Sequence, residues 1–75
     1  MDDVQGIQDR VDALTKAERR HLNALEKLAD YFARGDNPPL DLMQECDELQ
    51  DKVIALQLEV KELVDAFLKS VNLNG

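Results

Sequence analysis

An uninterrupted heptad pattern in the second half of the sequence constrains the fold more than any other feature. Between Leu42 and Phe67 the apolar residues recur at alternating steps of four and three, which is the 3.5-residue period of a coiled-coil seam. Position d of the heptad holds Leu42, Leu49, Leu56 and Leu63, and position a holds Cys46, Val53, Val60 and Phe67. Such a seam, ~40 Å long at 1.5 Å per residue, requires another helix to cover it.

The length of the sequence limits how much of this surface the chain can bury by itself. Its 75 residues allow one small domain, and chains of this size bury only about 60% of their unfolded surface. The single cysteine, Cys46, excludes an internal disulfide, and one Cys with one His cannot form a structural zinc site. We therefore predict no cofactor and no metal, and we expect a protein partner as the stabiliser, with a homodimer left open.

The charge of the chain is strongly acidic. Nine basic residues against sixteen acidic ones give a formal net charge of −7. Such a surface repels nucleic acid and anionic membranes, so neither is an expected partner. No apolar run approaches the ~18 residues of a membrane span, and no signal-peptide pattern opens the sequence. With the lone cysteine, these features predict a protein of a reduced, cytoplasmic compartment.

The first half of the sequence predicts the helix that covers the seam. Its helical stripe holds Val4, Ile7, Val11, Leu14, Ala17, His21 or Leu22, Leu25, Leu28 and Phe32. The stripe is weakest between Lys16 and His21, where Glu18 and His21 occupy positions that a heptad gives to apolar residues. We expect this helix to pack along the seam in spite of the weak middle.

The residues between the two stripes predict a tight corner. Gly35 suits the left-handed C-terminus of a helix, and Asn37 suits the N-cap of the next helix with Pro38 at its first position. Asp41 with Gln44 is a second possible start of that helix. A short connection between two helices of equal length makes an antiparallel hairpin. We therefore predict an all-α fold, a single helical-hairpin domain at 1–75 with helices at about 4–34 and 38–71.

The second helix carries more apolar residues than one seam can hold. At about 100° per residue, Ile54 and Leu58 point roughly 130–170° away from the seam. Val64, Leu68 and Val71 widen the seam near its C-terminal end. Isolated exposed apolar residues are common on folded proteins, which is the simpler interpretation. Because a lone hairpin is marginally stable, we predict instead that these five residues form a partner-binding face.

No constellation of residues points to catalysis, so we predict that the protein is not an enzyme. His21 has no nucleophile near it in the sequence and is interpreted as a polar break in the stripe. Cys46 stands at position a and is predicted to be a buried small hydrophobe. A thiol that cross-links two copies across a symmetric seam is the alternative.

The segment around the predicted corner resembles a known family. Ala24-Leu25 through Ala33-Arg34-Gly35 and on to Pro38 is similar to the YscE/PscE-type co-chaperones of bacterial type III secretion, a virulence apparatus. The resemblance implies a small helical hairpin that acts with a larger helical-repeat chaperone in the bacterial cytosol. Together they hold the needle subunit unpolymerised, so the implied function is a co-chaperone that covers apolar helix surface of a partner.

Two other functions stay open beside the co-chaperone. Needle subunits are hairpins of this length too, and Asn37-Pro38 and Val60-Lys61-Glu62-Leu63-Val64-Asp65-Ala66-Phe67-Leu68 resemble their corner and C-terminal helix. The Asn and Ser that needle subunits usually carry before that Lys are not evident, and Leu56-Gln57-Leu58 stands there instead. A coiled-coil adaptor or scaffold unrelated to secretion is the third alternative.

Overall fold

The computed structural model describes residues 3–74, with side chains for residues 4–71. Two helices make up this part of the chain, α1 at Asp3–Ala33 and α2 at Leu40–Asn74. They pack against each other in a rod with extents of 58 × 17 × 15 Å. The predicted fold class, an all-α two-helix hairpin, is confirmed, and residues 3–74 contain no strand.

α1 ends in a Schellman motif built around Gly35. The backbone N–H of Asp36 donates to the carbonyl oxygen of Tyr31 at 2.9 Å, and the N–H of Gly35 donates to that of Phe32 at 3.0 Å. Gly35 has a φ of 76°, a left-handed conformation that glycine adopts without the steric cost of a Cβ atom. The predicted role of Gly35 at the helix end is therefore confirmed.

α2 begins at Leu40, later than the predicted start at 38. The backbone N–H groups of Leu42 and Met43 both donate to the carbonyl oxygen of Pro39, at 3.1 and 3.2 Å. Pro39 explains the difference, because a proline disfavours helical backbone in the residue before it. Pro38 therefore lies outside the first helical turn, and the predicted cap at Asn37 was wrong.

The heptad seam of α2 faces α1, as its periodicity predicts. Cys46 and Val53 are buried, and Leu42, Leu49, Leu56 and Val60 are partly buried. Leu63 and Phe67 lie near the open end of the hairpin, where each is 37% exposed. Packing is therefore tightest in the middle of the rod and loosens away from the corner.

α1 meets this seam along a different line from the predicted stripe. Its covered residues are Ile7, Leu14, His21 and Leu28 at position a, and Ala17, Ala24 and Tyr31 at position d. The stripe prediction was wrong for Val4, Val11, Leu25 and Phe32, which are all exposed, and of the alternatives His21 and Leu22 it is His21 that is covered. The covered residues follow a 3.5-residue period from Leu14 to Tyr31, whereas Arg10, at position d near the open end, is exposed.

Two alanines explain why the seam takes this line. Ala17 and Ala24 are only 3% and 1% exposed, the most buried side chains among the described residues. A methyl side chain lets the facing helix approach closely, so the space that a leucine would fill is filled by the backbone and side chains of α2. The region predicted to be the weakest part of the stripe is therefore closely packed, with His21 half-buried beside it.

Candidate partner-binding surface

The hairpin has two flanks, one on each side of the seam, and both helices contribute to each. On a helix, positions e and b lie to one side of the a and d residues, and positions g and c lie to the other. Because α1 and α2 face each other and run antiparallel, the e side of one helix lies beside the e side of the other. A groove at the corner fits this geometry, since Lys27 and Arg34 from α1 line it together with Glu45 from α2, all at position g.

The flank at positions g and c, here called the charged flank, has no apolar side chain larger than alanine among residues 4–71. Its charged members are Asp9, Lys16, Arg20, Lys27, Asp30, Arg34, Asp41, Glu45, Glu48, Lys52, Glu59, Glu62 and Lys69. Seven are acidic and six are basic, so their charges nearly cancel. On this side, Arg10 Nε lies 3.6 Å from Glu59 Oε1, an exposed pair of a kind that contributes about 0–1 kcal/mol. The charged flank is therefore a solvated face.

The flank at positions e and b, here called the apolar flank, has the opposite composition. Its apolar members are Val4, Val11, Leu22, Leu25, Ala29, Phe32, Leu40, Met43, Ile54, Val64, Leu68 and Val71. Its only charged members are Glu18, Asp47 and Lys61. Among the described residues, every exposed large hydrophobic side chain lies on this flank except Leu58 and the seam-end residues Leu63 and Phe67. The exposed apolar residues thus form a one-sided surface, a feature that is typical of interaction sites and makes this flank the candidate.

Large side chains concentrate in two patches of the apolar flank. The corner patch comprises Leu22, Leu25, Phe32, Leu40 and Met43, which are between 38% and 65% exposed. The open-end patch comprises Val4, Val11, Val64, Leu68 and Val71. Thr15, Glu18, Gln50 and Gln57 separate the two patches, with Ile54 beside them. The corner patch presents the larger side chains and is the stronger candidate for an anchor site.

The partner-binding residues predicted from the sequence all lie outside the closely packed part of the seam. Ile54, Leu58, Leu68 and Val71 are exposed, and Val64 is half-buried. Four of them belong to the apolar flank, whereas Leu58, at position f, points to the back of α2. Their role in binding a partner stays a prediction.

Sequence reasoning missed the corner patch because it assigned Leu25 and Phe32 to the seam. The signal that identifies them is the strict seven-residue spacing of Ile7, Leu14, His21 and Leu28. The residues that lie three positions after Leu14, His21 and Leu28 then also face α2. These are Ala17, Ala24 and Tyr31, rather than the neighbouring Leu25 and Phe32. Because the seam of α1 contains His21, Ala17 and Ala24, this spacing is difficult to recognise from hydrophobicity alone.

The described residues also include the His, Cys, Asp and Glu side chains that bind metals in other proteins. No group of three His, Cys, Asp or Glu residues among them is arranged to hold a metal ion. Cys46 is buried in the seam, where its thiol fills space between the helices as predicted. Neither helix, over the residues described, has a stretch long and apolar enough to cross a membrane.

Comparison with known proteins adds no family to this picture. The chain matches no protein-family model. No curated protein and no solved structure is detectably similar to it. The resemblance to the secretion co-chaperones therefore stays a prediction, and function is argued from the surface of the hairpin.

Proposed function

We propose that this chain is a non-enzymatic protein-binding hairpin whose apolar flank covers an apolar helix of a partner protein. The observation that carries the proposal is the separation of exposed residues into one apolar and one charged flank. A partner helix lying along the line between the e positions of α1 and α2 would contact both helices through anchors spaced at i, i+3, i+4 and i+7. Binding would complete a three-helix arrangement in which the flank is buried.

The exposed area of the chain supports this proposal. Folded monomers of 8.5 kDa expose roughly 4,700 Å² by the usual scaling with mass. This chain exposes 5947 Å², an excess of roughly 1,300 Å² over that scaling value. A standard protein interface buries about 800 Å² on each partner. The rod therefore exposes enough additional surface for one interface of ordinary size.

A co-chaperone for a type III secretion needle subunit in the bacterial cytoplasm is the more specific form of the proposal. It draws on the resemblance of residues 24–38 and on the fit between the implied task, covering apolar helix surface, and an exposed apolar flank. A needle subunit is the alternative, because a filament would cover the same flank with further copies of the chain. A generic coiled-coil adaptor would use the flank in the same way with a different partner.

Sedimentation distinguishes a helix-binding hairpin, whether co-chaperone or adaptor, from a needle subunit. The hairpin is mixed with a self-associating amphipathic peptide helix whose apolar face is bordered by uncharged residues. We expect a one-to-one complex and loss of peptide self-association, because the apolar flank covers the face through which the peptide associates. The hairpin alone should remain a small species as its concentration rises. Independent sedimentation of hairpin and peptide would contradict a binding function, and growth of the hairpin alone into filaments would favour the needle subunit.

A further inference from the structure

The net negative charge of the described residues lies mainly along the back of the hairpin, next to the apolar flank. The residues at position f lie there, between positions b and c of each helix and beside both flanks, and are here called the rim. Flank and rim together contain the acidic residues Asp12, Glu18, Glu26, Asp47, Asp51 and Asp65 and the basic residues Arg19 and Lys61. All eight are exposed, and six acids against two bases leave four net negative charges. Three of these four charges belong to the rim, since the apolar flank alone has one net negative charge, as does the charged flank with its seven acids and six bases.

Four of the six acidic residues, Glu18, Glu26, Asp47 and Asp51, lie near the corner patch, against the single basic residue Arg19. A depression lined by Arg20 and Lys52 shows that these residues lie at the same level of the rod. In that antiparallel register Asp47 and Asp51 lie level with the turn of α1 that carries Leu22. Glu18 and Glu26 lie one turn to either side of Leu22 on α1 itself. The largest exposed apolar side chains are therefore bordered by carboxylates on both helices.

We propose that the partner segment is an amphipathic helix whose apolar face is bordered by lysine and arginine. This inference rests on the proposed function, since it specifies the chemistry of the helix that the apolar flank covers. Basic residues beside the apolar face would lie opposite Glu18, Glu26, Asp47 and Asp51 when the helix is seated. Opposite charges across an interface accelerate encounter and select the partner.

The same charges disfavour the other occupants of the flank. A second copy of the chain would bring the carboxylates around one corner patch towards those around the other, and like charges placed across an interface are unfavourable. A helix with an acidic border meets the same repulsion. Helices that lie on membrane surfaces carry basic polar faces, whereas this rim is acidic. A basic-bordered helix is the occupant that both the apolar and the charged residues favour.

A titration with three peptides tests the inference. The peptides share one apolar face and differ only in its border, which is basic, uncharged or acidic. At low ionic strength we expect the basic peptide to bind at least about tenfold more tightly than the acidic one. The difference should shrink towards ~1 M salt, where the Debye length falls to about 3 Å. Equal affinity for the three peptides would contradict the preference for a basic border but not the helix-binding function. If none of the peptides bound, both proposals would be contradicted.

A pair of double variants locates the effect on the surface. Glu26→Gln with Asp47→Asn removes two carboxylates beside the corner patch, one from each helix. Asp30→Asn with Glu45→Gln removes two from the charged flank, also one from each helix. Only the first pair should reduce the preference for the basic peptide, by about threefold or more. If both double variants reduced the preference equally, the preference would come from net charge alone and the proposed location would be wrong. If the first double variant instead made the hairpin dimerise more strongly, the apolar flank would bind a second copy of the chain.

Discussion

The Ala24→Leu variant is expected to lose about 1–3 kcal/mol of folding free energy, the usual cost of forcing extra methylene groups into a packed interior. Ala24 is 1% exposed and stands at position d against the buried row of α2. A leucine there would push the helices apart along the part of the seam that is most closely packed. Because a domain of this size rarely has more than about 3–5 kcal/mol of stability, the substitution should remove a large part of it and lower the urea midpoint clearly. Urea denaturation followed by circular dichroism measures the loss.

Ala29→Leu is the matched control for that experiment. It introduces the same side chain on the same helix, but Ala29 is exposed on the apolar flank. Its effect should stay within about 0.5 kcal/mol, as for most surface substitutions. If both variants lost the same stability, α1 would not meet α2 along the line of Ala17 and Ala24.

The second large effect is expected on binding rather than on folding. Replacing Leu22 and Phe32 with glutamine should weaken binding of the basic-bordered helix by about 2 kcal/mol or more, since both belong to the proposed anchor patch. These side chains are 57% and 61% exposed, so the hairpin should keep its melting temperature to within a few degrees. Titration calorimetry beside a thermal melt separates the two quantities.

Two other glutamine pairs complete that experiment. Asn23→Gln with Ala55→Gln places the same residue on the charged flank of both helices, and binding should not change. Ile54→Gln with Leu68→Gln tests the face predicted from the sequence and should weaken binding less than the corner variant does. A corner variant that binds normally while the Ile54 and Leu68 variant does not would move the anchor site to the open end of the hairpin.

The features that the sequence predicts correctly are those fixed by local chemistry. The period of Leu42 to Phe67 identifies the seam of α2, because every third or fourth residue returns an apolar side chain to the same side of the helix. Gly35 identifies the end of α1, because it accepts a left-handed backbone at little cost. The start of α2 was predicted two residues too early. Pro38 suits the first position of a helix, but Pro39 disfavours helical backbone at Pro38.

The features that the sequence does not predict depend on how the two helices are rotated against each other. Size alone favours Leu25 and Phe32 for the seam of α1, whereas packing selects Ala24 because a small residue permits close approach. Tyr31 then takes the next position d because it lies seven residues after Ala24. That rotation decides which apolar residues are left exposed. The corner patch lies across both helices, so it becomes visible only when the rotation and the antiparallel register are known.

Methyl NMR directly tests whether a partner helix binds along the apolar flank of an intact hairpin. During titration with the basic-bordered helix, the methyl signals of Leu22, Leu25 and Met43 should shift, because binding buries these side chains. The methyl signals of Ala55 on the charged flank and Ala24 in the seam should stay in place. Shifts confined to Ala55 would put the partner on the charged flank. Large shifts at Ala24 would mean that the hairpin opens to bind. Either result would contradict binding along the apolar flank of an intact hairpin.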